Sequence, residues 1–93
     1  MKDKITKEKL DKYKHLTSNA LIMAKSAIVK GREKEAQEII DMVSNYLSDA
    51  GFFEEKGDFV NAFAALNYAH GWLDSASKLG LIKVKDSKLF VVK

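Results

Sequence analysis

The chain has 93 residues, 46% of them apolar and 31% charged, with no cysteine and no proline. That length supports one small core, and the composition is that of a folded globular domain rather than a disordered segment. Without cysteine, disulfides and thiolate zinc clusters are excluded. The net charge of +3 is unevenly spread. Residues 1–34 hold ten Lys/Arg against four Asp/Glu, residues 35–81 two against eight, and residues 82–93 four against one. Basic ends around an acidic middle are suited to packing on each other or on a second copy, and the basic ends are also suited to phosphates.

The N-terminus, "MKDKITKEKLDKYK", is charged and has no apolar stretch of the kind a secretory signal needs. No run approaches the roughly 18 apolar residues of a membrane span. A cytoplasmic protein with no membrane contact is expected. The first predicted helix covers residues 6–29. Its apolar stripe is Leu10, Tyr13, Thr17, Ala20, Leu21, Ala24, Ala27 and Ile28, spaced by threes and fours, and Gly31 is its expected stop. Ile22 has no place on that stripe.

The second helix is predicted over 33–55, with Ala36, Ile39, Ile40, Val43, Tyr46, Leu47, Ala50 and Phe53 on its apolar side. Phe52 lies off it. Gly57 closes this helix and Asp58 is placed to cap the next by accepting backbone N–H bonds. Lys30-Gly31 returns as Lys56-Gly57, and at the same offset Ala36 matches Ala62, Ile40 matches Leu66 and Leu47 matches Leu73. The third helix is predicted over 59–79, with Gly80 as its stop. Short loops make consecutive helices antiparallel neighbours. The expected fold is therefore all-α, an up-down-up three-helix bundle in a single domain spanning 1–93. An extended or β-hairpin tail follows over 82–92, with strands near 82–85 and 88–92 around Asp86-Ser87. An isolated hairpin is marginally stable, so the tail either packs on the bundle or moves.

Within the third helix the heptad "YAHGWLD", Tyr68 to Asp74, combines a glycine, a histidine and the only tryptophan. Turning 100° per residue places Ala65, Leu66, Tyr68, Ala69, Trp72, Leu73, Ala76 and Leu79 on one broad apolar sector. Tyr68 and Trp72 are thus expected in the core. Asn67, His70, Asp74 and Ser77 fall on the opposite side, with Phe59 and Phe63 continuing that row toward the helix start. His70 and Asp74 form an i, i+4 pair. With Asn67, and with Tyr46 or Asp49 from the second helix, they make a candidate polar site for a small molecule or metal. As metal ligands the set is short of donors, and no motif places a nucleophile, so no catalytic residue, metal or cofactor is assigned.

Gly71 borders the polar row. A glycine inside a helix costs about 1 kcal/mol relative to alanine, and close approach of another backbone is the usual compensation. The candidates are the tail, a second subunit or a ligand. Ile22, Phe52, Phe59 and Phe63 are a candidate exposed patch for protein contact.

The segment Asn45 to Leu81 resembles the archaeal domain of unknown function family 357, on Tyr46, Asp49, Phe53, Gly57-Asp58, Ala62, "YAHGWLD" and Gly80. That resemblance implies a small up-and-down three-helix bundle from an archaeal cytoplasm, and brings no catalytic residues. The leading expectation is a non-enzymatic protein-interaction domain whose partner is itself, as a homodimer, or another protein. The alternatives are a nucleic-acid-binding accessory domain, using Lys2, Lys4, Lys7, Lys9, Lys12 and Lys14 joined by Lys83, Lys85, Lys88 and Lys93, and a small-molecule or metal site at Asn67, His70 and Asp74. Against nucleic acid, the early lysines spread around their helix and no aromatic platform interleaves with them.

Overall fold

A computed structural model describes residues 4–84 and shows three helices, α1 (Lys7–Lys25), α2 (Glu33–Glu55) and α3 (Phe59–Lys78). Each start follows from local chemistry. Thr6 precedes α1 in an extended conformation, and its hydroxyl oxygen accepts a bond from the Lys9 N–H at 3.1 Å. Asp58 does the same for α3, its Oδ1 accepting from the Asn61 N–H at 3.1 Å. The ends of α2 and α3 share one device. Gly57 and Gly80 take positive φ of 74° and 77°, which lets the chain fold back on the last turn. Asp58 N–H then reaches the Phe53 carbonyl at 2.9 Å, and Leu81 N–H reaches Ala76 at 2.9 Å.

The first helix ends earlier than its pattern predicts, at Lys25 instead of 29, and Gly31 is not its stop. Ser26 caps it, with its hydroxyl donating to the Met23 carbonyl at 3.0 Å, a bond that competes with helix continuation. Ala27 to Val29 then run extended. Their backbone groups are satisfied elsewhere, since Val29 N–H donates to Leu81 at 3.0 Å and Lys83 N–H donates to Ala27 at 2.9 Å. Ile28 and Ile82 face each other as an isolated antiparallel bridge. The β-branched pair Ile28-Val29 suits this extended segment better than a helix. Among the described residues this bridge is the sole β-pairing. Leu81, Ile82 and Val84 are buried, so the start of the tail packs on the bundle. The expected hairpin's second strand, 88–92, lies outside the described residues.

The core divides along the bundle. Toward the tail, Leu21, Ile40, Val43 and Leu73 pack with Leu81 and Ile82. Toward the α2–α3 loop, Leu10, Ala50, Ala62, Ala65 and Leu66 pack with half-buried Tyr13, Phe53, Phe59 and Phe63. Tyr46 and Leu47 touch both groups. Full burial of side chains such as Leu10, Leu66 and Leu73 stabilises by roughly 1.5–3 kcal/mol each. The ends of α1 and α2 are also tied by charge, Lys7 and Lys14 both reaching the Glu54 carboxylate, at 3.3 and 3.2 Å.

Candidate functional site

The third helix lies against both of the others, and this sets which way its side chains face. Its most buried residues are Ala62, Leu66, Ala69, Leu73 and Ala76, on one line down the helix. Four of the positions buried on α3, Ala62, Ala65, Ala69 and Ala76, are alanines, which lets the neighbouring helices come close. Large rings have no room in such a seam. Tyr68 and Trp72, expected in the core, are instead 63% and 39% exposed, and Leu79 is exposed as well. The core line is turned away from these three, toward α1, because α3 has to bury surface against two helices at once. Ser77, expected among the exposed polar row, is buried for the same reason.

The edge of α3 facing α1 carries His70 and Asp74. His70 Nδ1 is 3.2 Å from the hydroxyl oxygen of Thr17, which is only 1% exposed. Its Nε2 lies 3.9 Å from Asp74 Oδ1. A buried hydroxyl needs a partner, and the imidazole supplies one. The histidine thus joins two helices and is not splayed on a surface stripe. Thr17 was a legible signal, being a polar residue within an apolar stripe, but its partner was not. Phe59 and Phe63, expected in an exposed patch, are half-buried in the core group near the loop. The Phe63 ring meets Tyr13 edge-on with centroids 5.1 Å apart, and Lys9 Nζ lies 5.4 Å from its centroid. Among the described residues no three His, Cys, Asp or Glu side chains converge as metal ligands.

The opposite edge of α3 faces α2. Tyr68 stacks on Tyr46 with centroids 5.6 Å apart and planes at 27°. One turn farther from the loop on each antiparallel helix stand Trp72 and Met42, both exposed. Between the two edges runs a shallow groove lined by Asn67, Tyr68, Gly71, Trp72 and Ser75. Apart from its chain neighbours and the backbone of its own helical turns, nothing in the described residues comes within 4 Å of where a Gly71 side chain would begin. The residues grouped as one polar site are therefore distributed. His70 joins α1 with Asp74 beside it, Tyr46 joins the aromatic edge, Asp49 stands exposed on α2, and Asn67 and Gly71 line the groove. Of the remaining patch residues, Phe52 is exposed beside Phe53 and under Lys56, and Ile22 is exposed on α1.

Residues 4–82 match the family described as "Protein of unknown function (DUF357)". The chain belongs to that family. For this DUF357 member the match takes in all three helices and the Ile28–Ile82 bridge, so the region matched is the bundle described above. No curated protein and no solved structure was found to match it. Among the described residues, no helix of this DUF357 chain is long and apolar enough to cross a membrane.

Proposed function

We propose that the chain is a non-enzymatic protein-interaction domain that meets its partner through the outer face of α3 and the adjoining edge of α2. The observation that supports this is the exposure of Tyr68 and Trp72 beside Gly71. Exposed aromatic side chains over a groove with one polar rim are the composition of a contact surface. Gly71 adds a second reason. Its cost to the helix has no compensation inside the described chain, and a partner lying against it would supply one. A cytoplasmic location and archaeal origin complete this reading, in keeping with a cysteine-free chain and with the family pattern.

Site-specific photo-crosslinking tests it. A benzophenone side chain is placed at Ser75, in the groove, or at Ser44, two residues before Tyr46 and so turned away from it. The protein is then irradiated in the cells that make it. The expected result is an adduct from position 75 and none from position 44. Equal labelling from both positions, or none from 75, overturns the proposal.

A further inference from the structure

Given an interaction face on α3, its charge pattern says what covers it. We propose that the partner is a second copy of this chain, docked α3 to α3 about a two-fold axis running along the helices. In that arrangement Asp49 of each copy faces Lys12 of the other. This inference rests on the interaction reading above.

From Phe59 to Leu73 α3 has no Asp, Glu, Lys or Arg, so apposing this stretch strands no charge away from water, and the charges of α3, Asp74 and Lys78, come after it in the last turns. The two flanks differ in charge. On the α1 side two lysines, Lys9 and Lys12, and one acidic residue, Glu8, share a surface depression with Tyr13, whose ring meets Phe63. On the α2 side Asp49 is exposed one turn from Tyr46, whose ring meets Tyr68. Counting along the antiparallel pair from Tyr68, Asp49 stands level with Ala65. Counting along the parallel pair from Phe63, Lys12 stands within about a turn of the same height. Basic and acidic side chains thus flank the same stretch of α3, neither of them engaged with Glu54 as Lys7 and Lys14 are.

A symmetric interface joins the same patch to itself, so the axis direction decides which charges meet. An axis across α3 at the height of Asp49 would set Asp49 against Asp49. An axis along α3 exchanges the flanks and sets each Asp49 against the other copy's Lys12. For this pair the second is the electrostatically favourable one. At its centre Gly71 has no side chain to hold the two helices apart, and the space it faces is open.

Light scattering on the purified chain at low salt reads the answer. The expected mass is twice 10.4 kDa. Asp49→Lys and Lys12→Glu each set like charges together at two symmetric places and should weaken the dimer about tenfold. Mixing these two variants, or combining both in one chain, restores opposite charges and should return the wild-type mass. Both positions are exposed, so circular dichroism should show unchanged helix content. A monomer at every concentration up to about 1 mM, or a dimer indifferent to both swaps, overturns the proposal. If the chain is monomeric and Ser75 still crosslinks to a different protein, the interaction reading stands and the second copy is wrong. If neither dimer nor adduct forms, both readings fall.

Discussion

Thr17 and His70, 53 residues apart in sequence, meet across the α1–α3 contact with hydroxyl oxygen and Nδ1 separated by 3.2 Å. The hydroxyl is buried, so removing it also removes a partner from a partly buried imidazole. Thr17→Val keeps the shape and deletes the bond, and should destabilise the chain by about 1 kcal/mol. Thr17→Ser keeps the bond and loses one methyl group, for a comparable cost from packing. Urea unfolding separates the two through His70. With His70→Ala as background, Thr17→Val should lose much of its effect while Thr17→Ser keeps its own. Equal costs of Thr17→Val in both backgrounds would show that the hydroxyl does not act through the imidazole.

Glu54 makes stability sensitive to acid. The hydrogen bond from Lys14, followed by that from Lys7, holds its carboxyl below the ordinary carboxylate range, with partial desolvation opposing them. A carboxyl whose folded-state pKa is lowered contributes stability that is fully present above the ordinary value of about 4.3. That contribution is lost as pH falls through the lowered value, because the folded state must then take up the proton. The lysines are largely exposed, at 66% and 47%, so screening by solvent limits the contribution to about 1 kcal/mol or less. Glu54→Gln should therefore be less stable than wild type at neutral pH. The difference should shrink as pH falls below the ordinary carboxylate range and through the lowered value, where the carboxylate becomes protonated in both states. Denaturant midpoints across that range give the check, and a constant difference would remove the assigned role.

Leu73 and Trp72 are adjacent, yet Leu73 is fully buried and Trp72 is 39% exposed. Leu73→Ala should cost roughly 2–5 kcal/mol and Leu79→Ala, at a 67% exposed position, close to nothing. Trp72→Ala should fall between them, and its fluorescence should report a partly wet indole. The number of helices, their approximate spans and two of their glycine stops were legible in the sequence, because period and punctuation are local properties. The facing of Trp72 was not. Hydrophobicity alone widens the apolar sector of α3 to include its rings, whereas the alanines at 62, 65, 69 and 76 are what admit the neighbouring helices. The early end of α1 was hidden for a related reason. Ile28 continues the helical spacing, and only its pairing with Ile82, from the far end of the chain, draws it out of the helix.

Gly71 and Gly57 should respond in opposite directions to the same substitution. Gly71 lies inside a helix, and a methyl group there meets nothing in the described chain. Gly71→Ala therefore gains helix propensity with no steric penalty and should stabilise the isolated chain by about 1 kcal/mol. Gly57 has φ of +74°, where a side chain is strained whatever the space around it. Gly57→Ala should destabilise by about 1–2 kcal/mol. The pair discriminates because both sites are open, so the difference comes from the backbone alone. Thermal and urea unfolding at low protein concentration, where any association is diluted away, measure both effects. If Gly71→Ala were instead destabilising under those conditions, some part of the chain would have to lie against that glycine. The groove would then be occupied from within and closed to a partner.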